Sequence, residues 1–122
     1  MRLLAQRPQL KRDPLGGTIG MAESFVLDAT FQITNRGLVL ATRQWTGGIR
    51  VGQRVMLPNG RGGARPERIT AIETGRKTDD QGRPVAWIGL LLGDLPAAEI
   101  AQVEAHLRPG ATLAVEDPER AA

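Results

Sequence analysis

The chain of 122 residues carries 16 Lys and Arg against 13 Asp and Glu, a formal net charge of +3, with 41% hydrophobic and only 3% aromatic residues. That length makes one domain, whose core buries roughly two-thirds of the surface the unfolded chain exposes. Cysteine is absent, which excludes disulfides, thiolate catalysis, iron–sulfur clusters and cysteine-ligated zinc.

His106 is the single histidine, and it reads as a surface residue rather than a metal ligand. No apolar run nears the roughly 18 residues that span a bilayer, and the longest, 87–92, reads as a buried strand. Leu3-Leu4-Ala5 is the only apolar block in the first dozen residues, too short for a signal-peptide core. The expected address is the cytoplasm, with no membrane partner. The basic residues are 14 Arg and 2 Lys. Arginine's planar fork of donors suits phosphate, although a bias in codon composition produces the same excess.

In chain order, residues 1–20 contain two prolines and three glycines without a sustained period, and are expected to form a flexible basic arm. Strict alternation begins at Ser24: Phe25, Leu27, Ala29, Phe31 and Ile33 fall on one face, and Val26, Asp28, Thr30, Gln32 and Thr34 on the other. This predicts one half-buried strand of about ten residues. Asn35-Arg36-Gly37 makes a tight turn into a second strand at 38–44, and Gly47-Gly48 turns the chain into a third at 49–57, where Gly52 marks a bulge or a close backbone approach. The stretch 61–66, Arg-Gly-Gly-Ala-Arg-Pro, is predicted to be a mobile loop. A strand at 67–74, a polar loop at 75–84 and a very apolar strand at 85–92 follow, the last expected to lie centrally. Residues 97–107 show the only helical period, with Ile100, Val103 and Leu107 on one face, and 111–115 forms the last strand. Six strands with one short helix predict an all-β domain built as a six-stranded closed barrel over 21–118, between the arm at 1–20 and a tail at 119–122.

Residues 31–55 carry a more specific pattern: Phe31, Ile33, Arg36-Gly37, Val39, Arg43, Gly47, Ile49, Val51-Gly52 and Val55. In this order, and without a gap, they resemble the second domain of elongation factor Tu and related translational GTPases. Ile69, Ile72, the run Ile88-Gly89-Leu90-Leu91-Leu92 and Glu99-Ile100 extend the similarity, which covers roughly 23–116. The resemblance implies a barrel of the translation-protein type. It also implies a surface that in elongation factor Tu helps hold the aminoacylated end of transfer RNA. Phe31 and Arg36 match positions of that surface, whereas Ala29, Ala41 and Trp87 replace an acid, a threonine and an asparagine. With its polar neighbours gone, Phe31 reads as a core residue.

No Gly-x-x-x-x-Gly-Lys-Ser/Thr loop occurs, so no nucleotide is expected to be bound by this chain alone. Nor does the sequence offer a nucleophile beside a base, a cofactor motif or a metal-ligand cluster; Asp79-Asp80 read as turn residues. The expectation is a non-catalytic barrel, without cofactor, that docks a protein or ribonucleoprotein partner. Trp45 stands either as an exposed anchor or packed against the barrel end. The alternative is an RNA-binding protein that contacts phosphates through Arg61, Arg65, Arg68 and the basic arm, with Arg36 as a further contact. So few aromatic residues argue against a base-stacking platform.

Overall fold

A computed structural model describes residues 10–12, 18–21 and 23–118, with side chains from 23 onward. Of the expected arm and tail, residues 1–9, 13–17 and 119–122 lie outside the described residues. Within the arm, β1 (Leu10–Arg12) and β2 (Thr18–Met21) pair as an antiparallel ribbon, with Leu10 opposite Met21.

The rest is mostly β and forms two antiparallel sheets with one helix. Its elements are β3 (Glu23–Val26), β4 (Ala29–Ile33), β5 (Gly37–Thr42), β6 (Gln44–Trp45), β7 (Arg54–Pro58), β8 (Ala64–Arg68), β9 (Ala71–Thr78), β10 (Pro84–Leu92), α1 (Ala97–Glu104) and β11 (Thr112–Glu116). One sheet has the order β4-β5-β10-β9 and the other β6-β3-β11-β7-β8.

The chain passes from sheet to sheet at three short joints. Leu27 N–H donates to Ala111 O at 2.8 Å while Asp28 N–H donates to Ala41 O at 2.9 Å, so adjacent residues bond to different sheets. Ile69 and Thr70 do the same, to Gln53 O and Leu91 O, both at 2.8 Å. Between β5 and β6 the joint is Thr42-Arg43, where the fully buried Thr42 hydroxyl lies 2.6 Å from Val26 O and 2.9 Å from Gln44 O and accepts Gln44 N–H at 3.0 Å.

The joint at 27–28 overturns the single strand expected at 24–34. Phe25 and Leu27 are buried, but Ala29 and Phe31 are exposed, and it is Thr30 and Gln32 that face the helix. An extra residue at the joint exchanges the two faces of the strand, as any one-residue slip must. Phe31 is therefore not core: it is 43% exposed.

Other boundaries shift for similar reasons. The strand expected at 49–57 starts only at Arg54, because Gly52 takes φ +98° in a turn and leaves Val51 half exposed. The loop expected at 61–66 ends sooner, at Ala64, and the polar 75–84 is largely strand. There β9 and β10 stay paired from Leu91 opposite Ala71 out to Pro84 opposite Thr78. Backbone pairing across a hairpin does not require apolar side chains, so composition misreads such a segment. At the hairpin end, the Asp79 carboxylate accepts the N–H groups of Gln81 and Arg83, each at 2.9 Å, as a turn aspartate should.

The core lies between the sheets. Phe25, Leu27, Leu38, Leu40, Val55, Leu57, Ile69, Leu90 and Leu92 fill it, and Ile100, Val103 and Leu107 close it from the helix side. Glu104 ties α1 to β4 by accepting from Thr30 Oγ1 at 2.9 Å and Gln32 Nε2 at 3.2 Å. As expected, β10 is central, between β5 and β9, and the apolar stripe of the helix is buried.

Candidate docking surface

Both faces of β5 and β10 are apolar, and only one can meet the core. Leu38, Leu40, Ile88, Leu90 and Leu92 point inward, which by strand alternation sends Val39, Ala41, Trp87, Gly89 and Leu91 to the opposite face. Phe31 joins them there, directly opposite Val39 on β4. The helix lies against the other face, so no helix covers this one.

Glycines shape the strip. Trp87 stands directly opposite Gly75, and a Cβ on Gly75 would come 2.5 Å from Cζ2 of the indole. A Cβ on Gly89 would meet Val39 Cγ1 at 3.0 Å and Trp87 Cζ3 at 3.3 Å. The indole therefore lies across Gly75 and beside Gly89. The result is an apolar strip, Phe31–Val39–Trp87 with Leu91 alongside, in which Phe31 and part of Trp87 are exposed while Val39 and Leu91 are buried. Arg36–Glu73 at 3.3 Å and Arg43–Asp28 at 2.9 Å border it. Both pairs are largely exposed, and each adds no more than about 1 kcal/mol.

The other arginines of the sequence reading lie elsewhere. Arg65 on β8 is held by Glu67, 2.7 Å from its Nε, and by Glu99 of α1. Hydrogen bonds to Glu67 first and Glu99 second raise its pKa further above the ordinary arginine value, so its charge is fixed and already answered. Arg68 lies 3.6 Å from Asp94. Arg61 is exposed at the tip of the 59–63 loop, which Asn59 Oδ1 organises by accepting Arg61 N–H at 2.8 Å and Gly63 N–H at 3.2 Å. The five candidates thus do not converge: Arg36 borders the strip, while Arg61, Arg65 and Arg68 belong to the β7–β8 side of the molecule.

Trp45, 37% exposed, stands at a second feature, a cleft of about 260 Å³ that it shares with the end of the β9–β10 ribbon. His106 is exposed and sits over Gly60. Among the described residues no group of three or more His, Asp or Glu could hold a metal ion, and no helix is long and apolar enough to cross a membrane.

Sequence reasoning missed Trp87 as part of a surface because it lies in a run that reads as buried throughout, as Val39 and Leu91 in fact are. One signal was present: a tryptophan and a glycine equidistant from a hairpin turn, a spacing that lets the indole cover the glycine. No family model matches the chain, and no solved structure matches it.

Proposed function

We propose that this chain is a non-catalytic barrel module, similar to the second domain of elongation factor Tu, that docks a protein or ribonucleoprotein partner through the Phe31–Trp87 strip. The barrel reading is supported by the pairing pattern. Counting across the joints, 23–33 pairs with 37–45, which pairs with 84–92, then 64–78, 54–58, 112–116 and back to 23–33. A circuit of six leaves no long edge free at its waist.

The observation that carries the docking reading is the exposure of Phe31 beside the partly exposed Trp87, on a sheet face with no described helix over it. A phenylalanine has about 200 Å² to bury, so covering its exposed 43% is worth roughly 2 kcal/mol at 25 cal/mol per Å². That is the scale of an interface anchor. Ala29 and Ala41 beside it bring no hydrogen-bonding side chain, which suits an apolar partner surface better than a ribose or a base edge. The phosphate reading through the 61–68 arginines draws less support, since Arg65 and Arg68 already face carboxylates of the same chain.

Photocrosslinking tests this. Benzoylphenylalanine placed at Phe31 in the living cell should give a discrete protein adduct, and the same probe at Arg61 should not. Adducts from Arg61 alone, or RNA adducts from both positions, would refute docking through the strip.

A further inference from the structure

The cations of the described residues divide sharply. Arg36, Arg43, Arg50, Arg65 and Arg68 each lie within 4 Å of a carboxylate. Arg54, Arg61, Arg76, Lys77, Arg83 and Arg108 have no such partner among the described residues; Arg108 donates to the carbonyls of Ala105 and Leu107, and Arg76, Lys77 and Arg83 stand together on the one ribbon formed by β9, β10 and their turn. Nearby acids do not quench them. Glu73 is taken by Arg36, Asp79 accepts two backbone N–H groups, and Asp80 lies beyond it in the turn.

The ribbon borders a gap made by the fold itself. β5 and β10 pair only as far as Thr42 opposite Ile88; there the chain turns away to become β6 and joins the other sheet. Among the described residues, 84–87 keep β9 as their only strand partner. The space so opened is the cleft of about 260 Å³, with Trp45 on one side and residues 74–76 and 86–88, Trp87 among them, on the other. Thr74, Arg76, Ala86 and Ile88 share the core-facing side of the ribbon, opposite to the face that carries the Trp87 indole.

We infer that this cleft takes one base of a single-stranded RNA, stacked against the Trp45 indole, while Arg76 and Arg83 hold the adjoining phosphates. The volume falls just below that of a pocket for a drug-sized ligand, which suits a single planar ring. An apolar floor beside unanswered cations matches the division of a nucleotide into an apolar base face and an anionic backbone. An acidic peptide would bring its charge without a flat group for the indole. The sequence reading placed RNA contact on Arg61, Arg65 and Arg68, of which Arg65 and Arg68 are paired with carboxylates and Arg61 stands apart from any exposed ring; the cleft brings Arg76 and the Trp45 indole together. Trp87 borders both this cleft and the Phe31 strip, but binding of a base here does not require Phe31.

The test is fluorescence anisotropy of a fluorescein-labelled ten-nucleotide oligouridine titrated with the full-length protein at several salt concentrations. Two phosphate contacts predict a log–log salt slope of about −1.4, at roughly 0.7 per phosphate for single strands. Trp45→Ala should weaken binding by about 10- to 100-fold, and Trp45→Phe, which keeps a ring, should weaken it less. The double variant Arg76→Gln/Arg83→Gln should flatten the slope by about 1.4, whereas Arg61→Gln and Phe31→Ser should leave affinity unchanged. Quenching of tryptophan emission on binding, retained in Trp87→Phe, would place the base at Trp45. The inference is overturned by no binding at low salt, by equal loss in Arg61→Gln, by tighter binding of a polyglutamate peptide than of the oligonucleotide, or by normal affinity in the Trp45→Ala and double-arginine variants.

Discussion

Replacing Thr42 by Val tests the joint on which both surfaces depend. The side chain is fully buried and the two residues have nearly the same shape, so the change removes a hydroxyl and little else. That hydroxyl has one proton, given to Val26 O at 2.6 Å or Gln44 O at 2.9 Å, and it also accepts Gln44 N–H at 3.0 Å. Two hydrogen bonds are lost, each worth about 1 kcal/mol net, and a part-buried carbonyl is left unsatisfied, for a total of about 2–3 kcal/mol. For a domain of this size the melting midpoint should fall by about 8–12 °C. Thr42→Ser keeps the hydroxyl and loses one methyl, at a cost of about 1 kcal/mol. Circular-dichroism melts and urea titrations of the three proteins give the comparison, with an unchanged urea slope confirming that the folded and unfolded states are otherwise alike. Because Thr42 fixes the bend into β6, the valine variant should also shift the emission of Trp45, read in a Trp87→Phe background. A Thr42→Val protein as stable as Thr42→Ser, or more so, would refute the claim that these hydrogen bonds hold the joint.

Gly75→Ala should lift the indole of Trp87 from its seat, since the new Cβ would lie 2.5 Å from Cζ2; a loss of about 1–3 kcal/mol and a red shift in the emission of Trp87, measured in a Trp45→Phe background, are expected. Arg65→Gln removes the partner of Glu67, whose side chain is only 14% exposed, yet Arg65 itself is partly solvated, so urea unfolding should show a loss of no more than about 1 kcal/mol. The pKa of Arg65 is raised on folding, so its stabilising effect is complete below the unfolded arginine value and lost only as pH rises through the still higher folded value. The difference between wild type and Arg65→Gln, as far as Arg65 itself titrates, should therefore stay constant from pH 6 to 9, measured by thermal melts across that range.

Much of this molecule was decided locally. Asn35 at φ +64° and Gly37 at φ +126° make the turn that Asn-Arg-Gly announces, because few other residues accept positive φ. The helix buries the stripe of Ile100, Val103 and Leu107 that its period marks, and β10 is central because it is apolar on both faces. Local pattern could not settle what happens where a strand changes sheet. At Leu27-Asp28 one residue of slip turns Phe31 from core to surface, and the alternation on either side reads the same whether or not the slip is present. Nor does the sequence indicate which arginines are already answered. Arg65 meets Glu99, 34 residues away, and Arg36 meets Glu73, 37 residues away, while Arg76, Lys77 and Arg83 meet no carboxylate among the described residues. Such contacts depend on how strands are ordered around the core, a long-range choice that periodicity does not record. The sequence therefore determined the β class, the main turns and the helix. The open apolar strip and the cleft beside Trp45 exist only because tertiary pairing exchanges the faces of one strand and parts another from its neighbour.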